Sequence, residues 1–244
     1  MRLLGILTIT LLLLATSSLA PVLAQPGGTA TPASESEAQA LLRKASERLA
    51  ETETVRFNLE VEGDTYIDEE QDIRLINARG NLARPDSVDV EFQVELLGTQ
   101  TVSIRMISIG DESWTTDLLT GEWAPSPEEF GYNPTVLFDN QKGLGPVAGR
   151  LVDPEIVDKV EIGGREAWKV VGTVDEEVIE PITSGTMEGE EITVTLWLDT
   201  ETYDMLRIRV EEPKDIAKEN PATWVLSLTG HDSDLTIQRP DIDE

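Results

Sequence analysis

Cysteine is absent from the 244 residues. That excludes disulfides, thiolate metal sites, a thiol nucleophile and a lipid carried on an N-terminal cysteine. Histidine is nearly absent: His231 is the sole one. It follows Gly230 beside Asp232 and Asp234, which is turn chemistry rather than an acid–base constellation. Bases are scarce, with 19 Lys and Arg against 47 Asp and Glu, a formal charge of −28. Such a chain repels polyanions, so nucleic acid is excluded as a partner and bare anionic headgroups are a poor docking surface. Catalytic signatures are missing too: there is no G-x-S-x-G elbow, H-E-x-x-H pair or P-loop. Gly143, Gly145 and Gly149 have the wrong spacing for a dinucleotide loop and follow a helical stretch rather than a strand. Asp199, Glu201 and Asp204 lack the central glycine and terminal glutamate of a calcium loop, and read as a hairpin turn with its acids in solvent. No enzyme, metal or cofactor is expected.

Long apolar runs are also rare. The one at Leu3 to Leu14 follows Met1-Arg2 and precedes Val22-Leu23-Ala24, so residues 1–24 read as a secretory signal too short to span a bilayer. An uncleaved anchor is the alternative. Gln25 to Ser34 is Pro, Gly, Ala, Ser and Thr after its first residue and reads as a flexible tether. Residues 35–244 are then one domain, exported, free of a cysteine-borne anchor and expected to be monomeric.

What the chain does have is alternation. Val88, Val90, Phe92, Val94 and Leu96 alternate with Asp89, Glu91, Gln93 and Glu95. After Leu97-Gly98-Thr99, Val102, Ile104 and Met106 alternate with polar residues. Strand side chains point to opposite faces in turn, so this ribbon has one apolar and one wet face. Ile107 and Ile109 fall on the opposite phase, which predicts a bulge near Met106-Ile107. Similar strands are read at Val55–Val61, Ile73–Leu82, Ser113–Leu118, Glu122–Ala124, Val157–Val174 (a hairpin turning at Gly163-Gly164), Ile192–Trp197, Leu206–Val210 and Trp224–Leu228. A last short strand is read at Leu235–Ile237. One helix is clear before them: Ala38, Leu41, Leu42, Ala45 and Leu49 form a stripe after candidate caps Ser34 and Ser36. Asn133-Pro134 starts a short helix, a second apolar segment covers Leu144 to Val152, and Asp175 to Gly189 with Pro181 reads as an irregular acidic loop. The expected fold is α+β, mostly β: a large curved antiparallel sheet under one long N-terminal helix and short mid-chain helices.

Several short signatures, in order, carry a resemblance. They are Ala40-Leu41-Leu42 through Glu53-Thr54-Val55-Arg56-Phe57, then Ala78-Arg79-Gly80, then Ile109-Gly110-Asp111-Glu112-Ser113-Trp114. Tyr132-Asn133-Pro134 to Gly143-Leu144, Ile162-Gly163-Gly164-Arg165-Glu166-Ala167-Trp168 and Thr193 to Asp199 followed by Leu206 complete the series. In these the chain resembles the LppX/LprG-type lipoproteins, whose fold is that of the LolA-type carriers. The resemblance implies a half-barrel around an apolar cavity that moves acylated lipids or glycolipids through the cell envelope, without catalysis. The family's lipidated cysteine has no counterpart here. On this reading acyl chains lie against Phe92, Val94, Ile104, Met106 and Ile107, with Leu196, Ile208 and Leu226 deeper. Val136, Leu137, Leu144, Val147 and Leu151, with Ile179 and Ile182 of the acidic loop, form the lid. Partners are then lipid acyl chains and an envelope transporter or membrane acceptor. The alternative is a protein-binding or sensory module with a solid core and a working convex acidic face. The five tryptophans are either packed beneath the helices or form a rim at a pocket mouth.

Overall fold

The computed structural model describes residues 35–67, 71–118, 120–127, 133–216 and 218–242; the expected signal and tether lie outside them, as does Tyr132. Helix α1 (Glu37–Glu51) opens on a reciprocal cap. The Ser36 hydroxyl accepts from the Gln39 N–H at 3.1 Å, and the Gln39 side chain accepts from the Ser36 N–H at 2.9 Å. Two of the helix's orphan donors are thereby satisfied. Its stripe of Ala38, Leu41, Leu42, Ala45 and Leu49 is buried.

Six strands follow: β1 (Thr54–Glu62), β2 (Ile73–Ala83), β3 (Ser87–Leu96), β4 (Gln100–Ile109), β5 (Glu112–Thr116) and β6 (Trp123–Pro125). A 3-10 helix (Pro134–Phe138) and α2 (Leu144–Gly149) interrupt them. Then come β7 (Val152–Ile162), β8 (Arg165–Val174), α3 (Glu176–Thr183), β9 (Ile192–Asp199), β10 (Met205–Glu211) and β11 (Thr223–Thr229). All join one open, curved antiparallel sheet in the order β6-β5-β4-β3-β2-β1-β11-β10-β9-β8-β7. Two meanders, a first wing β1–β6 and a second wing β7–β11, are thus stitched together where β1 pairs with β11. Both outer edges are protected against further pairing. β6 is three residues long and ends in Pro125, while β7 carries Pro154, a left-handed Asp153 and two register shifts.

The alternation in the sequence sets the two faces. Val55, Phe57 and Leu59 of β1, Val88 to Val94 of β3, Val194 and Leu196 of β9 and Leu226 and Leu228 of β11 all turn inward and are buried in one cluster. Gly80 lets β2 approach β3 closely there, since a Cβ on it would stand 2.2 Å from the Asp89 carbonyl oxygen. Gly163 and Gly164 take φ of 59° and 82°, the left-handed conformation a tight two-residue hairpin demands.

Three expectations are corrected. β3 and β4 stay in regular register through Ser87 opposite Ile109, so no bulge forms at Met106-Ile107. Ile107 therefore points outward. It is buried on that side, opposite Trp114 of β5, whose ring lies 5.3 Å from the Arg239 guanidinium of the C-terminal tail. Its inward neighbour Ser108 is the buried residue on the core side and accepts a hydrogen bond from Asn133 Nδ2 at 3.0 Å. Second, Asp175 to Gly189 contains helix α3. Pro181 sits inside it and forfeits only the bond to the carbonyl of exposed Glu177, which water can satisfy. Third, Leu235–Ile237 is not a strand: the tail after β11 is irregular, tied by the Asp232 N–H to the Thr54 carbonyl at 2.9 Å.

Candidate functional site

The inner face of the sheet is a continuous apolar surface under a thin helical layer. α1 packs on α2 and on β7, α3 packs on α2 and on the 3-10 helix, and the 3-10 helix rests on β2 and β3. The first wing presents Phe92, Val94, Ile104 and Met106 to this layer; the second presents Leu196, Ile208 and Leu226. From above, Leu137 of the 3-10 helix, Leu144 and Val147 of α2, Leu151 just beyond it, and Ile179 and Ile182 of α3 enter the same cluster. Two residues do not join them: Ile107 faces outward, and Val136 is half-buried outside the cluster.

Both wings hold wholly buried inner residues, Val55, Val88 and Val94 in the first being 0% exposed, and both hold partly buried ones, such as Ile156 and Trp168 in the second. Ile192, Val194, Leu198 and Val170 of the second wing are each 0% exposed. Near the β2–β3–β4 end of the first wing, Ile73, Leu96 and Val102 are only partly buried against the core. Leu97, at the hairpin tip beyond them, is 71% exposed and has a left-handed φ of 49°.

Specific polar contacts hold the helical layer down. Arg84 is the hub for α1. Its guanidinium donates to the carbonyls of Thr52 (2.9 Å), Leu49 (3.0 Å) and Phe138 (2.9 Å) and lies 4.9 Å from the Phe138 ring. One side chain thus satisfies the last carbonyls of α1 and ties them to the end of the 3-10 helix. Burial lowers its pKa, and Glu53 and Asp139 oppose that from a distance. The C-terminal end of α1 is also anchored to the second wing. Arg48 pairs with Asp204 (2.8 Å) and Asp232 (2.5 Å), and Arg165 pairs with Asp204 (2.8 Å) and Asp199 (2.7 Å). Burial would raise the carboxyl pKa values of Asp199, Asp204 and Asp232. The hydrogen bonds and cations around each outweigh it and hold all three below the usual range. His231 lies beside this network. Its Nε2 meets the Met205 carbonyl at 3.1 Å, and its pKa is lowered, chiefly by burial. Asp199 and Asp204, the acids of the calcium-like spacing, are therefore not in solvent as expected: both are buried and held by the Arg165 guanidinium.

At the opposite end of the second wing, Glu212 has a fully buried side chain. It accepts from Lys218 Nζ (2.7 Å), the Ala222 N–H (2.6 Å) and the Glu188 N–H (2.9 Å). It fastens the segment after α3 to the β10–β11 loop. Neither Arg84 nor Glu212 stands out in the sequence; Arg84 beside Pro85, just before a strand of buried alternation, was the one available hint. The tryptophans divide by face. Trp168 and Trp224 point inward; Trp114, Trp123 and Trp197 point outward, so they do not form one rim at an inner mouth.

An open, curved antiparallel sheet with one apolar face under a thin helical layer defines the class, and the comparisons with known proteins agree. Residues 37–237 match the LppX_LprAFG lipoprotein family, and the chain belongs to it. LprF of Mycobacterium tuberculosis, named as a candidate diacylated glycolipid transporter, is 37% identical over 73 residues; this covers 30% of the chain and 28% of LprF. The lipoprotein LprA of the same organism is 22% identical over 197 residues, 77% of each chain. The crystal structure of LprF from Mycobacterium bovis superposes with a TM-score of 0.67 at 21% identity, covering 84% of this chain and 97% of that one. LppX of Mycobacterium tuberculosis gives 0.57 at 13%, covering 82% and 98%. These two likenesses show the shared fold.

Proposed function

We propose that the chain binds the acyl chains of a lipid or glycolipid between the inner face of the first wing and its helical cover, and carries them within the cell envelope without chemistry. The observation that carries this reading is the thinly roofed apolar face of the first wing. The inner face of the first wing is apolar, roofed chiefly by a five-residue 3-10 helix, and incompletely covered at Ile73, Leu96 and Val102. Membership of a lipoprotein family, one of whose members is named as a candidate glycolipid transporter, supports it. Phe92, Ile104 and Met106 would touch the acyl chain first, with Val94 beneath. Leu137 and Ile182 would swing or slide to admit it. Leu196, Ile208 and Leu226 lie farther along the same face, in the second wing. Ile107 and Val136, assigned to lining and lid from the sequence, drop out of this arrangement.

In the form described the cover is closed on the core: Val94 is 0% and Met106 2% exposed. Loading must separate protein surfaces that already bury one another, so the gain is the desolvation of the cargo itself. That is about 0.8 kcal/mol per methylene, on the order of 10 kcal/mol for a long acyl chain, less the cost of opening. The same close packing favours the second reading, a binding module with a permanently filled core. Ile104→Trp separates the two. On the lipid reading it fills the space the acyl chain takes and abolishes loading of a fluorescent acyl lipid, whereas Ile107→Trp, on the outer face, leaves loading intact. Equal loading by both variants would contradict the placement.

A further inference from the structure

One row on the outer face of the sheet gathers cations on an otherwise acidic surface. Trp197 of β9 stands in register with Lys169 of β8 on one side and Arg207 of β10 on the other. The lysine Nζ is 5.8 Å and the guanidinium carbon 5.9 Å from the ring centroid. The chain has 47 acids for 19 bases, yet neither cation forms an ion pair with a described carboxylate, although Asp158 of β7 stands opposite Lys169 in register; Arg207 Nε donates to Ser227 Oγ at 3.3 Å. The row continues in register through Ser227 of β11, Asn58 of β1 and Arg79 of β2. There it enters an open polar cleft of about 210 Å³ lined by Asn58 and Arg79 together with Glu60, Asn77, Glu91 and Gln93.

We propose that this row is a binding surface for a linear polysaccharide that carries carboxylate or phosphate groups. The strands are spaced about 4.8 Å apart, close to the length of one pyranose residue, so a glycan lying across them meets one row side chain per sugar. The electron-rich face of Trp197 takes the C–H face of a sugar ring. Lys169 and Arg207, on either side of the ring, take the anionic substituents, and Arg207 presents a planar fork suited to them. Ser227, Asn58 and Gln93 supply donors and acceptors to hydroxyls. An acidic peptide would use the cations but leave the ring and the neutral amides idle, so the surface fits a glycan better. The overall charge does not forbid this, because at physiological ionic strength screening acts over about 8 Å and only the local cations are felt at contact. The site is on the opposite side of the sheet from the acyl-chain face and stands or falls independently of it.

The test is native affinity electrophoresis of the purified protein in gels containing polygalacturonate, with dextran gels, soluble polyglutamate and phosphatidylglycerol vesicles as comparisons. The expected result is retardation by polygalacturonate, absent with dextran. Trp197→Ala and Arg207→Glu should each weaken it at least tenfold in the polysaccharide concentration required. Both side chains are partly exposed, and Arg207→Glu leaves the ring in place; an unchanged melting temperature confirms that the fold survives. Absence of retardation overturns the proposal. So do retardation that Arg207→Glu leaves unchanged, equal retardation by dextran, and binding no stronger to polygalacturonate than to polyglutamate or the vesicles.

Discussion

The two wings of the sheet are built from the same alternation and finished differently. In the second wing β7 meets the long helix α1, and side chains such as Ile192, Val194 and Leu198 are wholly buried, as Val55, Val88 and Val94 are in the first. Its ends are locked by charged groups, the Arg48–Asp204–Arg165 network at one and Glu212 at the other. The first wing has equally apolar strands but a thin roof, held at one point by Arg84 and at another by the Asn133–Ser108 hydrogen bond. The lesson is that alternation makes an apolar face but does not decide whether that face becomes core or cavity. The decision lies in what covers it and how firmly the cover is fastened.

The sharpest way to break this comparison is to place one large residue in each wing. Ile104→Trp in the first wing should leave a folded protein that loads fluorescent acyl lipid at least tenfold less well. Ile208→Trp in the second should overpack a sealed core and cost about 1–3 kcal/mol in urea unfolding. Similar outcomes for the two would show that the wings do not differ. Removing the buried acceptor with Glu212→Ala leaves the backbone N–H groups of Glu188 and Ala222 without it and reduces the Lys218 ammonium to the Thr186 carbonyl and the more distant Glu188. It should cost about 3 kcal/mol, measured by the same unfolding. Arg84→Met removes the donor shared by the Leu49 and Thr52 carbonyls at the end of α1 and the Phe138 carbonyl of the 3-10 helix that roofs the first wing. A loss of about 2 kcal/mol is expected, together with faster lipid loading in stopped-flow fluorescence.

The smallest effect is the pH dependence of the network that pins α1 to the second wing. His231 has a lowered pKa in the folded protein. Just below its ordinary 6.5 the unfolded chain therefore binds a proton that the folded one does not. Its contribution is complete above pH 6.5 and is lost as pH falls through that value towards the folded pKa. Asp199, Asp204 and Asp232 are also lowered. Their contribution is present above the ordinary carboxylate pKa of 3.8 and fades below it. Melting temperature should accordingly fall in two stages on acidification, and His231→Gln should remove the first stage alone.

Much of the architecture was legible from residue periodicity. The α1 stripe, the Gly163-Gly164 hairpin and the β3 alternation each obey a local rule that no distant contact overrides. α3 was hidden because Pro181 reads as a helix breaker, and a short helix can lose one exposed bond when Ile179 and Ile182 gain burial. Ile107 was misplaced because an apolar residue off phase suggests a bulge. In fact the outer face is locally covered there, with Trp114 and the tail at Arg239 providing the apolar setting. In the candidate site, the inward placement of Phe92, Ile104 and Leu226 was legible, because period two dictates it; their contact with an acyl chain is the proposal. The fastenings around them were not, because Arg84, Glu212 and Ser108 act across long sequence distances that no local pattern encodes.

The central claim is that the first wing opens to hold an acyl chain. Its most direct test is native mass spectrometry of the protein purified without detergent from a bacterial envelope, with the released lipids identified after solvent extraction. The account predicts a stoichiometric extra mass released as phospholipid or glycolipid, and its loss in Ile104→Trp. A bare polypeptide mass that also resists loading with fluorescent acyl lipids would contradict it and leave the first wing a closed core.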